Sequence, residues 1–285
     1  MTKNTRTYKI EFHKNGHKCY EKYYTNNKLH REDGPTIIYY HENGNKKREE
    51  YHINGTLYNK NGPALIIYHK NGNKYYEKYY INNNVHNENG PAAIHYYENG
   101  SVQIEKYYAN NKLHRENGPA TIYYYENGSV QIEKYYTNNK LHREDGPAII
   151  RYYENGNKFC EKYYVNNNLY NKNGPTGIFY YKNGNKKHEE YYTNNELHNE
   201  NGPAIIKYYE DGSIRNKEYY IDGEFIMTDK EAERYINSTK PIKIKNINKL
   251  KILLNICKAK NLKDKVDEIE DKLLLNLLES NGERN

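Results

Sequence analysis

Histidine beside acidic side chains is the combination in this sequence that could do chemistry, because such groups together ligate metal ions. It recurs in segments such as LHRED and LHNEN, whose histidines are His30, His86, His114, His142 and His198. Zinc ligands lie about 2 Å from one ion, whereas equivalent residues of stacked two-strand units lie ~10 Å apart. Tyr58 and Tyr170 replace the histidine in two copies. We therefore expect no metal site.

Other reactive arrangements give equally little indication of catalysis. The sequence has no phosphate loop and no nucleophile elbow, and no pattern predicts that a cysteine and a histidine lie close together. We therefore expect a protein that is not an enzyme and needs no cofactor. Tyrosine interleaved with lysine, as in the recurring EKYY, could stack on single-stranded bases. The glutamate of the same segment cancels the lysine charge, so we expect no specific nucleic-acid binding.

These segments belong to a repeat of 28 residues. Gly-Pro recurs at 34–35, 62–63, 90–91, 118–119, 146–147, 174–175 and 202–203. A fixed period of this length is typical of an array in which each unit contacts mainly its neighbours. With 36 tyrosines, 4 phenylalanines and no tryptophan, tyrosine must supply much of the apolar area. The net charge of +7 is a mild excess along so long an array.

One repeat, residues 118–145, reads as strands joined by turns. Residues 120–126 are rich in β-branched and aromatic residues, which predicts a strand. Asn127-Gly128 then predicts a two-residue type I′ turn, and residues 129–137 predict the returning strand. Asn138-Asn139 becomes Asn-Gly or Asp-Gly in sister repeats, which indicates a second turn with positive φ at its second residue.

Two positions of the first strand are constant in every repeat and predict its packed face. Isoleucine occupies 38, 66, 94, 122, 150, 178 and 206, and tyrosine occupies 40, 68, 96, 124, 152, 180 and 208. Pairing across the turn places Ile38 opposite Glu49, a glutamate that also recurs. A neighbouring tyrosine hydroxyl would satisfy that carboxylate. We expect Ile122→Ala to destabilise more than Thr121→Ala, because the alternate positions vary.

The second face carries recurring apolar residues as well. A two-residue turn places Leu57 opposite His52. Tyrosine occupies the His52 position in other repeats, at Tyr80, Tyr108, Tyr136, Tyr164 and Tyr192. Either both faces are partly covered or the second turn is longer than two residues. These five tyrosines are the candidate partner-binding residues of the array.

The YYENG and EKYYxNNKLH segments resemble the MORN-type β-hairpin repeats, particularly a variant in bacterial antitoxin-like and large-DNA-virus proteins. The resemblance covers residues 8–225 and implies antiparallel hairpins stacked into a long sheet. The usual MORN unit is shorter and richer in glycine, and the LHREDGPA segment is the additional piece. We therefore predict an all-β repeat array, an elongated antiparallel meander of stacked hairpins, with a small helical C-terminal tail.

The character of the sequence changes near residue 226, so we predict a repeat array over 1–226 and a helical segment over 227–285. Thr228 and Glu231 form a capping box before a helix that Pro241 would interrupt, and two amphipathic helices follow. We expect Phe225 and Ile226 to lie under this tail, covered by leucines of the first amphipathic helix. Alternatively, the basic segment docks an acidic partner or a membrane surface through Lys243, Lys245 and Lys249.

The function that these observations favour is a non-catalytic scaffold that binds a protein partner through a tyrosine-rich face. The alternative is a structural or fibre-like module that binds carbohydrate or lipid headgroups through aromatic platforms. Three cysteines without a pairing pattern favour a reducing compartment. No signal peptide or membrane segment is evident, so we expect a cytoplasmic protein.

Overall fold

The computed structural model of the chain describes residues 5–240 and 242–282, and the repeats within them form stacked antiparallel hairpins. The predicted all-β repeat array with a helical C-terminal tail is confirmed. Pro241, which was expected to interrupt a helix, lies outside the described residues. The fold divides into two compact units. One comprises residues up to Arg143 with Ala148–Gly156, and the other Glu144–Pro147 with the chain from Asn157 onward.

A complete repeat contains four strands, two longer and two short. In residues 118–145 the outgoing strand is Thr121–Tyr124 and the return strand is Val130–Lys134. A short hairpin follows, in which Tyr136–Thr137 pairs with Lys140–Leu141. The predicted return strand over 129–137 is therefore interrupted at Tyr135, whose N–H donates to the carbonyl of Ala148 at 2.8 Å before the chain turns away.

In the first unit, each return strand also pairs with the outgoing strand of the next repeat, which makes one antiparallel sheet. Its strands are Arg6–Phe12, Lys18–Thr25, Ile37–Tyr40, Lys46–Glu50, Leu65–Tyr68, Lys74–Lys78, Ala93–Tyr96, Val102–Lys106, Thr121–Tyr124, Val130–Lys134 and Ile149–Tyr152. The short strands beside it are Lys28–Leu29, His52–Ile53, Thr56–Leu57, Tyr80–Ile81, Asn84–Val85, Tyr108–Ala109, Lys112–Leu113, Tyr136–Thr137 and Lys140–Leu141.

The second unit continues the same plan and adds the helices. Its sheet strands are Lys158–Lys162, Gly177–Tyr180, Lys186–Glu190, Ile205–Tyr208, Ile214–Ile221 and Glu224–Thr228. Its short hairpins are Tyr164–Val165 with Asn168–Leu169 and Tyr192–Thr193 with Glu196–Leu197. The helices are α1 (Asp229–Ile236), α2 (Ile247–Ala259) and α3 (Lys263–Gly282).

The turn at Asn127-Gly128 is not the predicted type I′ turn. Gly128 has a φ of +85°, whereas Asn127 is not among the residues with positive φ. The Gly128 N–H donates to the carbonyl of Tyr125 at 2.9 Å, and the Tyr125 N–H donates to the carbonyl of Ser129 at 2.9 Å. This is a three-residue loop with a glycine bulge, and it shifts the strand register by one residue just before the loop. Asn-Gly suits both kinds of turn, so the sequence could not distinguish them.

The second turn has two residues, which settles the question left open by the sequence. Asn138 and Asn139 have φ values of 50° and 67°, as a type I′ turn requires. Leu57 lies opposite His52, as predicted. The Asn139 N–H donates to the carbonyl of Leu113 at 3.0 Å, so the short hairpins of these consecutive repeats are hydrogen-bonded to each other.

Both faces of the sheet are partly buried, which corrects one sequence-based expectation. Ile38 does lie opposite Glu49, as the register predicted. However, Thr121 on the opposite face is only 2% exposed, whereas Ile122 is half-buried. The varying positions of the outgoing strand are therefore not on a solvent-exposed face, and the expected order of the Ile122→Ala and Thr121→Ala effects loses its basis.

The tail packs against the last strands of the second unit. The predicted capping box is present, because the hydroxyl of Thr228 accepts from the Glu231 N–H and the Glu231 carboxylate accepts from the Thr228 N–H. Ile226 is buried in one apolar cluster with Leu250 and Leu253 of α2, which confirms that part of the prediction. Phe225 is 47% exposed instead, because it points to the other side of its strand and packs edge-on against Tyr220.

No helix among the described residues combines the length and the apolar character needed to cross a bilayer. Cys19, Cys160 and Cys257, all of which are described, form no disulfide with one another.

The apolar cluster under the tail predicts that Leu→Ala substitution at two positions lowers the free energy of unfolding by very different amounts. Leu253→Ala deletes a side chain that is 0% exposed, so it should lower the free energy of unfolding by about 2–5 kcal/mol. Leu274→Ala makes the same change on a side chain that is 59% exposed and should cost less than about 0.5 kcal/mol. Urea denaturation of both variants measures the difference; equal losses would contradict the packing described for α2 and α3.

Candidate functional site

The first face of the sheet is defined by the positions equivalent to Ile38, Tyr40 and Glu49, and we call it the constant face. Its glutamates are paired across repeats, because each accepts a hydrogen bond from the hydroxyl of the tyrosine 19 residues later. The seven pairs are Glu21–Tyr40, Glu49–Tyr68, Glu77–Tyr96, Glu105–Tyr124, Glu133–Tyr152, Glu161–Tyr180 and Glu189–Tyr208. The predicted tyrosine hydroxyl partner of this glutamate is thus confirmed.

A lysine three residues earlier completes five of these sites. At Glu21 the carboxylate accepts from the ammonium of Lys18 at 2.6 Å, from Tyr23 at 2.6 Å and from Tyr40 at 2.7 Å. Burial alone would raise the pKa of Glu21, but these three donors outweigh it and lower the pKa to about 2. The carboxylate therefore stays ionised although the residue is 5% exposed.

Two sites in the middle of the array lack this lysine. Val102 and Val130 stand where Lys18 stands in the first repeat. Glu105 and Glu133 are half-buried there, and the tyrosine hydroxyl lies 3.0 Å from each carboxylate. The lysine is therefore what allows the glutamate to be buried deeply at the other sites.

The loop after the short hairpin is organised by the side chain that follows the recurring histidine. Where that residue is asparagine, as at Asn87, its amide donates to the carbonyl of Pro91 at 3.0 Å and closes the loop. Where it is arginine, as at Arg115, the guanidinium lies 3.8 Å from the ring centre of Tyr107. The asparagine or arginine of this segment thus serves the local structure.

Two of the recurring histidines accept a backbone hydrogen bond from the following repeat. Nδ1 of His30 accepts from the Asn54 N–H at 3.1 Å, and Nδ1 of His198 accepts from the Asp222 N–H at the same distance. Each thereby supports the first residue of the turn in the following repeat. Among the described residues, His, Cys, Asp and Glu form no group of three that could hold a metal ion.

The opposite face is defined by the positions equivalent to 37, 39, 48 and 50, and we call it the variable face because these residues differ between repeats. Along its edge lie the five tyrosines that the sequence nominated. Each begins a short hairpin and is half-buried, and the first unit contains Tyr80, Tyr108 and Tyr136. Tyr164 and Tyr192 hold the equivalent place in the second unit. Burial raises the pKa of Tyr108 and of Tyr136, and the neighbouring Tyr123 raises both further.

The charges of the variable face follow a pattern that the sequence reasoning missed. Acids on this face pair locally, as Glu50 does with Arg48 at 2.7 Å and Glu190 with His188 at 3.2 Å. Apart from Lys22, whose charge acts on Glu11, four cations of the first unit have no such partner among the described residues. They are Lys78, Lys106, Lys134 and Arg151.

For the three lysines, the recurring Glu-Lys dipeptide in the sequence already indicated this position. Successive residues of a strand point to opposite faces, so Glu105 and Lys106 cannot neutralise each other in the way that the sequence reasoning assumed. Glu105 instead accepts from Tyr124 on the constant face. The lysine is left on the variable face.

The nominated lysines of the tail lie in less uniform surroundings. Lys243 and Lys245 are exposed, because they alternate with the buried Ile242 and Ile244 in an extended segment. Lys249 is partly buried on α2, and its ammonium lies 5.3 Å from the ring centre of Tyr235.

Further lysines of the tail are paired with acids of the other two helices. Lys258 pairs with Glu270 at 2.8 Å and Lys260 with Glu233 at 3.3 Å. The basic charge of this segment is therefore partly neutralised within the tail.

Fold and site together define a repeat array of antiparallel hairpins with one internally hydrogen-bonded face and one face whose residues vary. No protein-family model and no curated protein matches the chain.

The hydrogen bonds of the constant face predict that removal of one tyrosine hydroxyl lowers the free energy of unfolding by an amount that depends on pH. Tyr40→Phe deletes a donor to the buried Glu21 and should cost about 1–3 kcal/mol of unfolding free energy at pH 7. Because the folded-state pKa of Glu21 is depressed to about 2, its contribution is present above the unfolded pKa of about 4.3 and lost as pH falls toward 2. The deficit should therefore shrink between pH 7 and pH 3.

Tyr39→Phe is the matched control, because it makes the same change one residue away on the opposite face. Its ring lies near Tyr20, with centroids 6.1 Å apart. Denaturation midpoints of both variants at the two pH values test the prediction. A Tyr40→Phe deficit no larger than that of Tyr39→Phe would contradict it.

Proposed function

We propose that this protein is a non-catalytic scaffold that binds a protein partner through the variable face of its repeat sheet. The observation that carries the proposal is the separation of constant and varying positions onto opposite faces. Tyrosines along the edge, including Tyr80, Tyr108 and Tyr136, offer large amphipathic surfaces of the kind enriched at protein interfaces. The varying positions beside them offer specificity.

The constant face is less suited to this role. Its carboxylates are occupied by tyrosine hydroxyls of the next repeat and, at five sites, by a lysine of the same repeat. Hydrogen bonds made inside the array are not available to a partner without breaking it. We therefore assign the constant face to stability and the variable face to recognition.

Variation between repeats also supports a protein partner over a carbohydrate or lipid surface. A periodic ligand would meet similar residues in each repeat, whereas position 39 and its equivalents hold Tyr39, Ile67, His95, Tyr123 and Arg151 in the first unit. A protein surface is aperiodic, and such a series suits it.

Two related assignments belong to the same proposal. The hairpin repeats and the recurring YYENG motif support a MORN-type relationship, whose members serve diverse functions. Three cysteines that form no disulfide with one another support a cytoplasmic location.

Affinity capture from the native cell tests the proposal. Tyr108→Ala/Tyr136→Ala should abolish capture of a specific protein, because it removes two adjacent anchors from the variable face. Tyr170→Ala/Tyr209→Ala changes two exposed tyrosines outside this row and should leave capture intact. Tyr108→Phe/Tyr136→Phe keeps the packing and controls for folding, together with a thermal melt of each variant.

Glycan arrays and lipid vesicles run with the same variants complete the experiment. Binding of a glycan or lipid that requires Tyr108 and Tyr136, without any protein capture that requires them, would replace the proposal with the carbohydrate or lipid alternative. Capture that is equal for both alanine pairs would remove the variable face from recognition.

A further inference from the structure

Four cations lie on the variable face of the first unit, three lysines in one register and an arginine two residues out of it. We call them the basic strip: Lys78, Lys106, Lys134 and Arg151. Cross-strand pairing orders the row as Lys78, Ala93, Lys106, Thr121 and Lys134. Arg151 adjoins the end of this row, because Ile132 pairs with Arg151 and Lys134 pairs with Ile149. The lysines thus flank two small residues, Ala93 and Thr121, each of which is 2% exposed.

The basic strip carries charge without compensation. Where the equivalent position is acidic, it pairs with a neighbouring base, as Glu50 does with Arg48 and Glu218 with Lys207. Burial lowers the pKa of Lys134, and the like charges of Arg151 and Lys106 lower it further. Repulsion between these like charges opposes folding, so the stability of the array does not explain why the cations are clustered. A ligand of opposite charge would explain the cluster, because it would neutralise the cations when bound.

The aromatic rings beside the basic strip discriminate between kinds of anion. The ammonium of Lys134 lies over the ring of Tyr123 at 5.3 Å, and that of Lys78 lies over the ring of Tyr80 at 5.2 Å. Tyr76 packs against the ring of His95, with centroids 4.5 Å apart. Single-stranded nucleic acids are held largely by bases stacked on open ring faces, and a lysine ammonium already lies over one face of Tyr80 and one face of Tyr123. The surface therefore suits carboxylates better than bases.

We propose that the basic strip binds an extended acidic peptide segment of a protein partner, with a carboxylate at about every third residue. Lysines of consecutive repeats are two strands apart, or ~10 Å, and three residues of an extended chain span the same ~10 Å. A segment that crosses the strands in this way places one carboxylate beside each lysine. This inference rests on the proposed function and specifies the chemistry of the partner.

Fluorescence anisotropy with a defined probe tests the pairing. The probe is a fluorescein-labelled peptide that repeats the triplet Glu-Ser-Gly six times, and the neutral control repeats Gln-Ser-Gly. We expect the acidic peptide to bind the full chain with an affinity that falls as salt increases, and the neutral peptide not to bind. A third probe, oligo-dT of matched charge, should bind more weakly than the acidic peptide.

Charge reversal then locates the site. Lys106→Glu/Lys134→Glu should weaken binding by about tenfold or more. Lys112→Glu/Lys140→Glu makes the same change in the same repeats, at exposed positions of the short hairpins, and should leave affinity within about twofold. Lys106→Gln/Lys134→Gln should weaken binding without introducing acids into the sheet, and Lys134→Arg should retain it. Thermal melts verify that each variant is folded.

Several results would overturn the inference. Equal losses from the two charge-reversal pairs would reduce the effect to net charge, and tighter binding of oligo-dT through the basic strip would assign it to nucleic acid. Failure of the acidic peptide to bind would also reject it. If cellular capture required Tyr108 and Tyr136 but not Lys106 and Lys134, the scaffold function would stand and this inference would fall. If capture required neither pair, the scaffold function itself would fail.

Discussion

The glutamate carboxylate of the constant face, which is buried or half-buried in seven consecutive repeats, is the constraint on which the rest of the array depends. An ionised glutamate inside a sheet is stable only with donors around it, and one donor always comes from the following repeat. This explains why glutamate and tyrosine recur with the same period as isoleucine. The series of glutamate–tyrosine hydrogen bonds ends where the residue types change. Phe12 holds the tyrosine position of the first repeat, and Lys217 holds the glutamate position of the last. Neither residue can make the bond.

Because side chains alternate along the strands, this constraint applies to one face of the sheet and leaves the other face free to vary. With one face committed to glutamate, tyrosine and isoleucine, every intervening residue points to the other face and can change without disturbing those bonds. The return strand illustrates this, since Glu105 bonds within the constant face while Lys106 lies on the variable face. Stability and recognition can thus be encoded in the same short strand. This separation is the physical basis of the proposed scaffold.

Periodicity and alternation predicted much of this fold from the sequence. They predicted the pairing of Ile38 with Glu49, the positive φ at the second residue of the second turn and the capping box at Thr228. Features set by three-dimensional packing were not predictable. The bulge at Gly128 arises from a motif that suits two turns, and the exposure of Phe225 depends on which side of its strand the helices cover. The basic strip was missed because charges were summed along the chain rather than assigned to faces.

The central claim is that the tyrosine hydroxyl and the buried glutamate couple one repeat to the next. A double-mutant cycle with Glu77→Gln and Tyr96→Phe measures that coupling directly, because Glu77 is 4% exposed and its carboxylate accepts from Tyr96. We predict a coupling free energy on the order of 1–3 kcal/mol, with the double variant losing less stability than the sum of the two single variants. Additive losses, and hence a coupling near zero, would contradict the account.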